Sequence, residues 1–449
     1  MNNPFCLCLL FVGLLTNQIS AQEPTPLPFD PQDGETVVFL GDSITHQCLY
    51  TQYLENFFLT RYPDRQIRFH NAGVSGDKVG DVLTRFDDDV AAYVPDYITI
   101  LLGMNDGQYE DFNAETFATY QSGMKELLDH INSLEAKPIL LSPTMFDHAT
   151  VARRIDDSTW RFRTREFSPN YNALMAFYGG WTLEEAGRHR IPFVNLWAPL
   201  NTHTIAQRLQ QPDFTMINDA IHPQASGQFV MAFETLSQLG VRKRSANAIA
   251  ITKRGNRWIG KGVENLTTSE DGRELRFSYQ PESLPWVIPE DQSSIDLKWQ
   301  LPSDGRLGYT ITKAGHKLSA DRLKIAGLEP GDYDVSINGQ SIGVWNHISL
   351  GTKIEIQENP KTPQYQQALQ VALLNQKRND EFVRPLRNTW AQIKGYRRKI
   401  AEGDSHLETK LDQTMLEAKT LSDAAMNSLV EIYQVAEPKR QDWLIRRVE

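Results

Sequence analysis

Between about residues 33 and 240 the chain alternates short apolar runs with longer amphipathic stretches, and this alternation restricts the folds open to it. The runs at 36–40, 97–102, 138–142 and 191–197 are apolar on most positions, and the run at 66–70 carries Ile67 and Phe69. Such runs suit strands buried on both faces. The stretch 114–134 carries Phe117, Tyr120, Met124, Leu127, Leu128 and Ile131 three or four residues apart, the spacing of one helix face. Strand–helix alternation predicts a parallel sheet covered by helices on both sides, a three-layer α/β/α sandwich.

The pattern changes after Gly240. Residues 245–357 read as short strands. In "DYDVSINGQSIGVWNH", Tyr333, Val335 and Ile337 share one parity before Asn338-Gly339, with Ile342 and Val344 beyond, a hairpin signal. Residues 362–449 read as a helical tail of two antiparallel helices. Thr362 caps the first, Pro363 suits its first turn, and Pro385 interrupts it. The expected organisation is a leader at 1–21, an α/β domain at 33–240, a β-rich domain at 245–357 and the helical tail. Several units fit a chain of 449 residues, which exceeds what one core usually supports.

The leader is read from "MNNPFCLCLLFVGLLTNQISAQEP": an apolar core at 5–15, then polar residues and a small residue, Ala21. That is the pattern of a signal peptide cleaved near Ala21–Gln22, and it predicts export to a periplasmic or extracellular space. The apolar core is too short for a comfortable membrane span. Cys6 and Cys8 leave with the leader. Cys48 stays alone as a small packing residue, so no internal disulfide is expected. With 46 Lys and Arg against 56 Asp and Glu the net charge is −10, which argues against a nucleic-acid partner.

"FLGDSITHQ" (39–47) ends an apolar run on Gly-Asp-Ser. A serine hydroxyl needs a base within reach, a group to orient that base, and donors for the developing oxyanion. "NDAIHPQASGQ" offers His222 as base, with Asp219 three residues before it. "FHNAGVSGDKVGD" follows the second run and "ILLGMNDGQ" ends the third, which places Gly73 and Asn105 on the edge that carries Ser43. Ligands of parallel sheets bind beyond the carboxyl ends of the strands. Asp42 and Asp106 read as loop-holding or helix-capping residues. His46, His70, His148 and His203 are the competing histidines, and no cluster has metal-ligand spacing, so neither metal nor cofactor is expected. The stretch 145–190 exceeds a plain crossover. Its Trp160, Phe162, Phe167, Tyr171 and Trp181 lie among Arg153, Arg154, Arg161, Arg163 and Arg165, in the manner of an insertion that shapes a binding site.

Gly-Asp-Ser at 41–43, Gly73, Gly-Met-Asn-Asp at 103–106 and Asp-Ala-Ile-His at 219–222 together resemble the four sequence blocks of the SGNH, or GDSL-type, hydrolases. The resemblance covers about residues 35 to 240. It implies Ser43 as nucleophile, Asp219 and His222 as the rest of a triad, and an oxyanion hole of Ser43 N–H, Gly73 N–H and the Asn105 amide. It further implies an exported serine esterase that removes O-acetyl groups from a polysaccharide or oligosaccharide. A lipase, phospholipase or thioesterase, and a non-catalytic glycan-binding protein, are the alternatives. The β-rich region and tail resemble C-terminal regions of exported bacterial relatives, from which no residue role carries over.

Overall fold

The computed structural model describes residues 28–241, 248–289 and 305–448. The leader segment lies outside the described residues. Five parallel strands form the first sheet: β1 (Thr36–Gly41), β2 (Arg68–Gly73), β3 (Tyr97–Leu101), β4 (Lys137–Leu141) and β5 (Phe193–Val194), in the order β2-β1-β3-β4-β5. Every residue of β1 and β3 is buried, which explains their unbroken apolar runs. The register aligns Gly41 with both Gly73 and Leu101, so three strands end level. The expected α/β/α sandwich is what forms, followed by one mixed and one antiparallel sheet and a helical region.

The helices that flank this sheet begin with a single turn, α1 (Ser43–His46), and then α2 (Leu49–Arg61). Further along are α3 (Ala114–Ser133), α4 (Tyr171–His189) and α5 (Ala225–Gln238). Helix α3 buries the six residues picked out by spacing. Helix α2 has no solvent face: all thirteen of its residues are buried. It is covered by α5 and by the C-terminal tail, where α7 (Pro363–Arg378) packs against α2. Helix α6 (Gly305–Thr312) covers α5, with Gly308 so close to Ser226 that an added Cβ would stand 2.4 Å from the Ser226 carbonyl oxygen. The large core therefore takes in Trp286, Tyr309, Tyr365, Leu429 and Tyr433 besides the sheet residues.

The β-rich part has two sheets and a core of its own, which includes Ile251, Phe277, Leu323, Val335 and Trp443. The strands are β6 (Ala248–Arg254), β7 (Arg257–Lys261), β8 (Val263–Thr268), β9 (Glu274–Tyr279), β10 (Arg322–Ala326), β11 (Asp332–Ile337), β12 (Gln340–Asn346), β13 (Ile354–Glu355) and β14 (Gln441–Arg447). One sheet runs β13-β10-β6-β7, and the other runs β12-β11-β14-β9-β8. The β11–β12 hairpin turns at Asn338 and Gly339, both with positive φ, as a two-residue turn requires. A bulge after Val335 alters the register, and Val344 faces solvent rather than the core.

The tail departs from the helical reading at its end. Residues 441–447 form β14, paired with β9 on one side and β11 on the other. Trp443 and Ile445 alternate into the core while their neighbours face out. Pro385 sits where expected, at the second position of α8 (Arg384–Ala401). The turn before it, 379–383, is a π-helix that joins α7 to α8 without breaking the rod. Helix α9 (Glu408–Ala436) returns antiparallel along both.

Candidate active site

Ser43 opens α1 directly beyond β1. Asp42 caps that helix by accepting from Ile44 N–H at 2.9 Å. The turn is tight because β1 ends on glycine: a Cβ at Gly41 would meet Thr45 Oγ1 at 2.2 Å. As the first residue of a helix, Ser43 carries an N–H with no intrahelical acceptor.

The loop 215–222 before α5 delivers the other two residues. Asp219 Oδ1 accepts from the backbone N–H groups of Ile221 and His222, at 3.0 and 2.7 Å, which fixes the turn. Asp219 Oδ2 accepts from His222 Nδ1 at 2.7 Å, and His222 Nε2 stands 2.9 Å from Ser43 Oγ. With Nδ1–H given to the carboxylate, Nε2 is the acceptor for the serine hydroxyl. Ser43, Asp219 and His222 are all about 5 % exposed or less. Burial pushes the Asp219 carboxyl up, but the His222 charge and hydrogen bonds outweigh it and leave the group below its ordinary range. The structure thus brings together three residues separated by up to 179 positions.

Asn105 follows β3 and reaches the same edge. Its Nδ2 donates to the Asp77 carbonyl oxygen at 3.1 Å and more distantly to Asp42 Oδ2 at 3.3 Å, while Tyr109 O–H donates to Asn105 Oδ1 at 2.9 Å. Burial lifts Asp42 to about 7, against the Ile44 hydrogen bond and the nearby His222. Asp106 accepts from Gly103 and Val79 N–H groups and so ties the Asn105 loop to the loop after β2.

Gly73 does not fit the donor role read from the sequence. Strand β2 runs three residues further than its apolar run and ends on Gly73, level with Gly41. Its N–H already donates to Asn71 Oδ1 at 2.9 Å. What Gly73 provides is room, because a Cβ there would stand 2.3 Å from His46 N and 2.6 Å from Thr45 C, both backbone atoms. The loop beyond the strand end carries Gly76, exposed and with φ +76°. The "SGD" three residues after the strand end was the sequence signal for it.

Tyr109 and Asp77 are site residues that the sequence reading did not single out, whereas Phe162 belongs to the insertion it named. The Phe162 ring lies nearly parallel to the His222 imidazole, centroids 6.5 Å apart. The insertion aromatics turn inward: Trp160, Phe162, Tyr171 and Trp181 are buried, and Trp160, Phe162 and Tyr171 form a wall with Phe146 and Phe167, while Trp181 packs on Phe117 and Tyr120. Arg161 lies over the Phe162 ring and Arg165 over Tyr109, while Arg153 and Arg154 pair with Asp147 and Asp157. Of the competing histidines, His70 is buried against Asp89 and His46 faces Ser75 and Asn388. Among the described residues no three His, Cys, Asp or Glu side chains converge on a possible metal position, and no helix is long and apolar enough to cross a membrane.

A strand-end serine within 2.9 Å of an acid-paired histidine defines a serine-hydrolase arrangement on an α/β/α sheet. Residues 39–229 match the model of the GDSL-like lipase/acylhydrolase family. An acetylxylan esterase of Geobacillus stearothermophilus is 26 % identical over 229 residues, 46 % of this chain and 94 % of the relative. A solved structure described as a gut microbial diltiazem-metabolizing enzyme superposes with a TM-score of 0.76 at 23 % identity, covering 93 % of this chain and 99 % of its own. Through residues 39–229 the chain is similar to the GDSL-like, or SGNH, hydrolases, a family of carboxylic ester hydrolases. The superposition extends the likeness in fold over the β-rich sheets and the helical tail.

Proposed function

We propose that the protein is an exported serine esterase that removes O-acetyl groups from a polysaccharide or oligosaccharide. The observation that carries the reading is the relay Ser43 Oγ–His222 Nε2 at 2.9 Å and His222 Nδ1–Asp219 Oδ2 at 2.7 Å. Both imidazole nitrogens are committed, so the base is oriented before substrate arrives.

In this reading Ser43 Oγ attacks the acetyl carbonyl while His222 Nε2 takes the hydroxyl proton. The oxyanion accepts from Ser43 N–H and the Asn105 amide, with the backbone at Gly76 supplying the donor that Gly73 cannot. Donation by Asn105 requires Nδ2 to exchange its long contact with Asp42 for the oxyanion. Collapse passes the proton from His222 to the departing sugar hydroxyl. Water then attacks the acetyl-serine with His222 again as base, which releases acetate and restores Ser43.

The acetyl preference draws on the likeness to an acetylxylan esterase. Export rests on the leader pattern of residues 1–21. The test compares acetate release from an acetylated xylan, acetylated oligosaccharides and a long-chain acyl ester. The proposal expects the acetylated glycans to be the better substrates by kcat/KM. A preference for the long-chain ester would instead make the protein a lipase. Glycan binding with no turnover of any ester would make it a binding protein.

A further inference from the structure

The loop that follows β2 is joined to Asn105 through the Asp77 carbonyl oxygen, and the C-terminal tail holds it at two points. At Ser75, the backbone N–H donates to His46 Nδ1 at 3.2 Å. With Nδ1 accepting, His46 Nε2–H is the donor to Asn388 Oδ1 of α8 at 3.1 Å. At Asp77, Oδ1 pairs with Lys394 Nζ of α8 at 2.8 Å and Oδ2 pairs with Arg85 at 2.7 Å. The Asp77 carboxylate is fully buried, and its backbone carbonyl accepts from Asn105 Nδ2. Asp77 is therefore a junction with the tail on its side chain and Asn105 on its backbone. Gly76 lies between the two held residues.

The rest of the tail makes α8 a firm support. Arg387 of α8 pairs with Asp89, both with no exposed side-chain surface, and Arg378 of α7 pairs with Glu55 under the same conditions. The tail is thus anchored to α2 through Glu55 and to the segment between β2 and β3 through Asp89 by buried ion pairs, and loss of either arginine would leave a buried carboxylate with one partner fewer.

We propose that α8 is a positioning element of the esterase site: Asn388 and Lys394 hold the 75–77 loop, and through Asp77 the Asn105 amide, in the geometry that receives the oxyanion. This rests on the esterase reading above. Neither residue touches the reacting atoms. Their loss displaces donors that bind the transition state more strongly than the substrate, so it lowers kcat and leaves KM largely alone.

The test uses the full chain and the variants Lys394→Met, Lys394→Arg and Asn388→Ala. Active sites are counted by stoichiometric labelling with a fluorophosphonate, and kcat is expressed per labelled site on a small acetyl ester. Lys394→Met and Asn388→Ala are each expected to lose roughly three- to thirty-fold in kcat per labelled site, below the roughly hundredfold that an ångström of misplacement can cost. Lys394→Arg, which keeps a cation at Asp77, is expected to recover most of the loss. Unchanged kcat per labelled site in both loss variants overturns the positioning role. So does a loss confined to the fraction of molecules that label, which marks a purely structural contact. A wild-type protein that does not label overturns the esterase reading, and the positioning role with it.

Discussion

Gly73 separates two kinds of information that a sequence carries. Its identity is demanded by the backbone of Thr45 and His46 lying within 2.6 Å of where a Cβ would stand. Gly73→Ala is therefore expected to destabilise the protein by about 1–3 kcal/mol, the cost of overpacking, measured by denaturant unfolding. Asn105→Ala removes a side-chain donor without crowding anything, and should lower kcat by about 10²–10³ while the melting temperature moves little. His46 introduces a pH dependence. Burial, together with Arg387, Arg85 and Arg384, lowers its pKa to about 4 despite the Asn388 hydrogen bond. A histidine whose folded pKa is depressed adds stability above its unfolded value of about 6.5, and that stability is lost as pH falls through about 4. Replacing His46 with Gln should flatten the acid side of the stability profile over that window. Ser43, Asp219 and His222 were legible because their blocks occur in a fixed order along the chain. Gly76 and Tyr109 were not. The first depends on a strand end three residues later than the apolar run suggests, and the second on a loop conformation with φ +67° that no local pattern announces.

At the scale of elements, the parallel sheet was legible and the last strand was not. Central strands buried on both faces give unbroken apolar runs, whereas β14 shows only Trp443 and Ile445 in alternation after a long helix. The cover on α2 was equally hidden, since a helix buried on every side has no amphipathic stripe to point at its partner. The partner's charges are measurable. Burial alone would raise the Asp89 carboxyl, but Arg387, the His70 hydrogen bond and Arg85 together hold it well below the usual carboxylate range. A depressed carboxyl adds stability above its unfolded pKa of about 4, and that stability disappears as pH falls through the folded value. Arg387→Met should therefore lower the melting temperature strongly at pH 7 and by a shrinking margin below about pH 4.

Across the whole molecule, the hydrolase sheet and the helical tail are joined by a shared core and by buried ion pairs between distant parts of the chain, while the β-rich sheets keep a core of their own. Removing the tail would expose α2, leave Glu55 without Arg378 and deprive Asp89 of one of its two arginines, so a fragment ending near residue 245 should be insoluble or inactive rather than a working catalytic domain. The central claim is that Ser43 is the nucleophile activated by His222. Intact-mass and peptide mapping after fluorophosphonate treatment tests it most directly. The account predicts one adduct per chain, on Ser43, abolished in Ser43→Ala and severely slowed in His222→Ala, with acetyl-ester turnover lost in parallel. An adduct on another residue, or equal labelling of wild type and Ser43→Ala, would contradict it.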